Sequence, residues 1–165
     1  MEKSSPTTLP IQPDDKRLQQ FAIFSGLDHE ELTTLLKLTD TLTFSKGAQI
    51  VQSGEDGHCL YLLIKGSAVV SAPPPDHLVE LAKLKSGDFF GEIALVDDGP
   101  RSADVTALED CTLLRITRTT IGVLAGLQPP AAVQIISAIG SELVKRLRTT
   151  NQKYLGLLHR SGVQS

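Results

Sequence analysis

Cysteine is scarce. Cys59 and Cys111 are the two in 165 residues, widely separated and with no CxxC or HxH pattern beside them. That excludes a disulfide framework and a small zinc module, and leaves buried free thiols as the expectation. A surplus of positive charge is missing as well: 16 Lys and Arg stand against 19 Asp and Glu, for a net charge of -3. The chain as a whole gives no electrostatic reason to seek nucleic acid or anionic lipid. Nor does the opening "MEKSSPTTLPIQP" hold the apolar run that a signal peptide or membrane helix needs; it carries three prolines and several hydroxyl residues instead. Residues 1–17 are expected to form a disordered arm of a soluble, cytoplasmic protein. At 17.7 kDa the remainder suits one domain with appendages.

What is present changes character twice along the chain. Residues 18–38, "LQQFAIFSGLDHEELTTLLKL", have helical apolar spacing, and Asp28 with Glu31 three positions on predicts a capping box for a helix from about residue 29. From Thr41 to about Thr117, short apolar and β-branched runs ("AQIV", "CLYLLI", "SAVVS", "LVELAKL", "CTLLRIT") alternate with Gly, Pro and Asp clusters. Many short strands with turn-rich joints predict a sandwich or barrel rather than a helix-wrapped parallel sheet. "SAPPPDHL" at 71–78 reads as a polar hairpin tip, because three prolines cannot donate to a ladder. Helical spacing returns near "TTIGVLAGL" and in a long segment over 129–158, opened by Pro129-Pro130. Within it Ile136, Gly140, Leu143, Leu147, Thr150, Tyr154 and Leu157 alternate four and three apart, a heptad seam that predicts a homodimer through residues 136–157. Residues 159–165 are expected to be a flexible tail.

The chemistry concentrates in "FGEIALVDDGPRSADVTA", residues 90–107. Gly91 lets backbone approach a ligand closely, and "EIAL" can form one helical turn facing an anion. Arg101 offers a planar, permanently charged fork for paired phosphate oxygens, with Ser102 and Ala103 small enough to leave the path clear. Glu92 would repel that anion, so its carboxylate suits hydroxyl donors such as those of a sugar. Phosphate and sugar together suggest a nucleotide. A plain ion pair between Glu92 and Arg101, pinning a loop, is the competing explanation.

These residues resemble the phosphate-binding cassette of cyclic nucleotide-binding domains: Phe-Gly-Glu, an apolar and a small residue, Leu, a short loop, then Arg, a small or hydroxyl residue, and Ala. A second signature of that family fits upstream in "IVQSGEDGHCLYLLIKG", residues 50–66, where Gly54, Gly57 and Gly66 read as turn glycines. The resemblance covers about residues 18–158. It implies a mainly β fold with flanking helices: an eight-stranded jelly-roll-like β-roll over 18–128 with an N-terminal helical segment, and a long C-terminal lid or dimerisation helix over 129–158. It implies ligand-binding roles for Gly91, Glu92, Ile93, Ala94, Arg101, Ser102 and Ala103, with Glu92 on the ribose and Arg101 on the cyclic phosphate.

The C-terminal helix is similar to that of the bacterial cyclic-AMP receptor branch of the family. Thr150 falls where that branch reads the adenine amino group, and Asn151 stands where it has a Ser reaching the nucleotide of the partner subunit. Ser102 does not decide between cyclic AMP and cyclic GMP; Thr150 favours cyclic AMP. Only "HRSGVQS" follows Leu158, so no recognition helix fits there and no direct DNA binding is expected. The resulting expectation is a non-enzymatic, stand-alone receptor without cofactor that signals to an effector protein. The alternatives are the ligand-sensing part of a transcription regulator, a non-nucleotide sensor on the same fold, or a cupin-type metalloenzyme. The last would need converging ligands, and His29, His58, His77 and His159 show no HxH pairing.

Overall fold

Two antiparallel sheets enclose an apolar interior in the computed structural model, which describes residues 7–9, 16–76 and 78–162. The strands are β1 (Thr7–Leu9), β2 (Asp40–Phe44), β3 (Gln49–Val51), β4 (Cys59–Lys65), β5 (Ser67–Ser71), β6 (Glu80–Lys85), β7 (Phe89–Phe90), β8 (Asp104–Ala107) and β9 (Cys111–Thr117). The helices are α1 (His29–Lys37), α2 (Arg118–Leu127) and α3 (Pro129–Arg160). One sheet runs β1-β2-β9-β4-β7 and the other β3-β8-β5-β6. Strands β2 to β9 are the eight expected of the roll.

β1 is additional. The arm expected to be disordered over 1–17 contributes a strand whose Thr7, Thr8 and Leu9 pair with Thr43, Leu42 and Thr41 of β2; residues 1–6 and 10–15 lie outside the described residues. Arg17 is also tied down, its Nη2 donating to Ile64 O at 3.1 Å. At the other end α3 continues two residues past the expected 158, because Ser161 closes it by bonding back to Leu157 O. His77 and residues 163–165 lie outside the described residues.

β4 reads as an unbroken apolar run because both of its faces are covered. Leu60, Leu62 and Ile64 face the helical side, in one cluster with Phe24, Leu32, Leu35, Ile116, Leu124, Ile135 and Ile139. Leu63 and Tyr61 face the roll interior with Leu42, Phe44, Val51, Ala68, Leu84, Phe90, Val105 and Leu113. The capping box at α1 is present in full: Glu31 N donates to Asp28 Oδ1 at 2.8 Å and Asp28 N donates to Glu31 Oε2 at 2.9 Å. Pro129 and Pro130 open α3. Only its first half is buried on one side, by Ala131, Ala132, Ile135 and Ile139. Beyond Leu143 the apolar seam residues Leu147, Tyr154 and Leu157 are all exposed among the described residues.

Candidate functional site

A cavity of about 700 Å³ opens between the roll and α3. Its floor is the segment from Gly91 to Ala103, its apolar wall includes Val51, Val70, Leu84, Phe90 and Val105, and its lid side is the face of α3 that carries Glu142, Arg146 and Thr150. Gly91, Glu92, Ile93, Ala94, Arg101, Ser102, Ala103 and Thr150 all line it. Asn151 does not: it is exposed, beside the uncovered seam of α3. On α3 the cavity is lined by Glu142, Lys145, Arg146, Thr149, Thr150 and Lys153, and Asn151 lies about 100° further round the helix from Thr150, past the edge of that face.

The residues Glu92–Leu95 form the single turn expected of them, as a 3-10 helix capped by Gly91 at φ 77°. That angle favours glycine, and a Cβ there would also run into the Arg101 guanidinium and Cys59 O. Gly91 is therefore fixed twice, by its backbone and by its neighbour.

The two sequence signatures meet at Arg101. From the upstream one, Gly54 N donates to Arg101 O at 2.8 Å and Glu55 O accepts from Arg101 N at 2.7 Å. The guanidinium donates through Nη2 to Cys59 O at 2.8 Å and through Nη1 to Gly91 O at 3.2 Å. It lies 5.8 Å from the Tyr61 ring centroid. Burial, reinforced by Cys59, pushes the Tyr61 phenol above its ordinary range, so the ring beneath Arg101 stays uncharged. Arg101 is thus held on two carbonyls and an aromatic face with N–H groups to spare, a preorganised cation. Gly57 plays a different part from the turn residue expected: its φ is not positive, but a Cβ would come within 2.7 Å of Arg101 Nε. Gly57→Ala is expected to displace Arg101 and weaken anion binding roughly tenfold while leaving the melting temperature near wild type. Titration beside a thermal melt checks this.

Glu92 and Arg101 do not pair. Glu92 is buried, with 8% of its surface exposed, and its Oε1 lies 3.3 Å from Arg146 Nη1. Arg146 also donates to Phe89 O at 2.6 Å, lies 4.8 Å from the Phe89 ring centroid, and stands 3.5 Å from Glu142 Oε1 one turn earlier. The ion-pair explanation for Glu92 and Arg101 is thereby set aside: each carries its own partners, and the two charges are delivered separately to one cavity. Arg146 has no role in the reading of the sequence, where it is one of several Lys and Arg residues between 145 and 160. The available signal was its spacing of four from both Glu142 and Thr150, which puts all three on one helix face.

Among the described residues no group of three or more His, Cys, Asp or Glu side chains is arranged to hold a metal ion, so the metalloenzyme alternative finds no donor set there. No helix among the described residues is long and apolar enough to cross a membrane.

Comparison with known proteins gives the family. Residues 41–125, just over half of the chain, match the cyclic nucleotide-binding domain family, and the chain belongs to that family. It is similar to a CRP-like cAMP-activated global transcriptional regulator of Mycobacterium tuberculosis, 26% identical over 145 residues that cover 87% of this chain and 63% of the relative. It is also similar to a cAMP-dependent protein kinase regulatory subunit of Debaryomyces hansenii, 35% identical over 109 residues that cover 66% of this chain and 24% of the relative. The chain thus spans less than two thirds of the length of either. Among solved structures, the catabolite activator protein of Thermus thermophilus superposes with a TM-score of 0.71 at 28% identity, over 86% of this chain and 72% of that one. A cyclic nucleotide-binding domain from Methylobacillus flagellatus superposes with a TM-score of 0.80 at 20% identity, over 92% of this chain and 88% of that one, and bears on the fold alone.

Proposed function

We propose that this protein is a receptor, not an enzyme, that takes a cyclic mononucleotide into the cavity, prefers cyclic AMP to cyclic GMP, and passes its bound state to an effector protein through α3. The observation that carries the reading is the separation of Arg101 from Glu92 within one cavity, each held by other partners. A cation set on carbonyls accepts the cyclic phosphate, joined by the backbone of Gly91, Glu92, Ile93 and Ala94 and by Ser102 and Ala103. Glu92 keeps one oxygen on Arg146 and offers the other to a ribose hydroxyl. Thr150, on the opposite wall, is placed to meet the base; its hydroxyl can accept from an adenine amino group, which is the ground for preferring cyclic AMP. The relatives whose names carry cAMP support the same preference.

Glu92→Gln is expected to hurt less than Glu92→Ala. The amide oxygen still accepts a hydrogen bond, whereas alanine leaves Arg146 half-buried beside an empty place; losses of about fivefold and fiftyfold in affinity are expected. Equal, negligible losses in titrations of both variants would assign Glu92 a purely structural role.

The uncovered seam of α3 supports a homodimer through residues 136–157, and within it Asn151 would face the second copy rather than its own cavity. A cytoplasmic location and signalling without direct DNA contact belong to the same proposal, the latter supported by the net charge of -3. One observation favours a second reading, as the sensing part of a transcription regulator: the similarity to the mycobacterial regulator covers 87% of the chain and so takes in much of the helical segment. Electrophoretic mobility assays with and without cyclic AMP separate the two readings.

A further inference from the structure

Arg118 stands at the first position of α2, directly after the Thr117 cap. A cation there meets the positive end of the helix dipole, so the position by itself disfavours it. The side chain reaches away from its helix, over the cassette: Nη2 donates to Ala94 O at 3.2 Å and lies 2.9 Å from Asp98 Oδ1. Ala94 is buried in the turn that lines the cavity, and Asp98 belongs to the loop that leads into Arg101. One guanidinium therefore holds both flanks of the anion site and anchors them to the start of α2. α2 in turn packs on α3, with Leu124, Ile135 and Ile139 in one cluster, and α3 carries Arg146 and Thr150.

We propose that Arg118 is a positioning residue that fixes the 92–95 turn and the 97–100 loop in their anion-binding arrangement and couples that arrangement to α2 and α3. The proposal rests on the cyclic nucleotide reading of the cavity. Its two contacts are unequal. The pair with Asp98 is exposed on both sides, with side chains 50% and 77% accessible, and an exposed pair contributes little. The bond to the buried turn carries the effect. Both contacts come from the one nitrogen Nη2, so a lysine ammonium, which keeps the charge and three donors on a single atom but has a shorter reach, retains part of the arrangement.

The test is titration with cyclic AMP, amide hydrogen exchange with and without cyclic AMP, and thermal melting of the nucleotide-free protein, for wild type, Arg118→Gln, Arg118→Lys and Asp98→Asn. In the wild type, cyclic AMP is expected to raise protection in both the 91–103 segment and α2. Arg118→Gln should weaken affinity about fivefold, the lower end of ordinary coupling, and remove the protection of α2 while keeping that of 91–103. Arg118→Lys should fall between, and Asp98→Asn should stay within about twofold of wild type. Because glutamine relieves the dipole conflict, the free variant should melt no lower than wild type. Wild-type affinity and wild-type protection of α2 in Arg118→Gln would overturn the proposal, as would a loss of affinity matched by a loss of stability in the free protein. A wild type that binds cyclic AMP while either of these holds leaves the reading of the cavity standing; a wild type that binds no cyclic nucleotide removes both.

Discussion

Replacing Arg101 with alanine is expected to weaken cyclic nucleotide binding by about 3 kcal/mol or more, roughly a hundredfold or more in Kd. The side chain supplies the cation on the cavity floor, and its orientation is already set by Cys59 O, Gly91 O and the Tyr61 ring, so little ordering remains to be done on binding. Alanine removes the charge and its donors at once. The backbone bonds of residue 101 to Gly54 and Glu55 do not depend on the side chain, so the roll should persist. Circular dichroism establishes the fold and calorimetric titration the affinity. An intact fold with wild-type affinity would mean that the anion is held elsewhere.

The second large effect is expected at Leu147. It lies at the middle of the α3 seam, 62% exposed in the single chain, so its substitution costs the monomer almost nothing. In a parallel pair of helices it would be buried against its own copy. Leu147→Glu places two like charges there and removes the apolar contact, and it is expected to raise the dimer dissociation constant at least about a hundredfold. Light scattering at micromolar concentration should report a dimer for the wild type and a monomer for the variant, with equal melting temperatures at high dilution. A wild-type monomer would mean that the stripe Ile136, Leu147, Tyr154, Leu157 serves another partner.

The cassette was legible in the sequence because its chemistry is local. Gly91, Glu92 and Arg101 sit within eleven residues, and each has a property that few side chains share: positive φ, a lone carboxylate, a fixed fork. Strands β5 and β9 were legible to the residue for a similar reason, since apolar and β-branched runs ended at turn residues. β7 was not, because two phenylalanines carry no period, and β8 was hidden inside the cassette, where its alternation was read as chemistry. The contacts that assemble the site are long-range and left almost no local trace. Arg146 reaches Glu92 across 54 positions, and Cys59 offers its carbonyl to Arg101 across 42. Gly57 shows the limit most clearly: a turn glycine and a glycine that makes room for a guanidinium look alike until the fold brings the guanidinium there.

The most direct test of the cavity assignment is calorimetric titration of the unmodified protein with cyclic AMP and, under the same conditions, with cyclic GMP. Saturable binding of one nucleotide per chain, tighter for cyclic AMP, is the predicted result. Failure of both nucleotides to bind at millimolar concentration to the folded protein would contradict it.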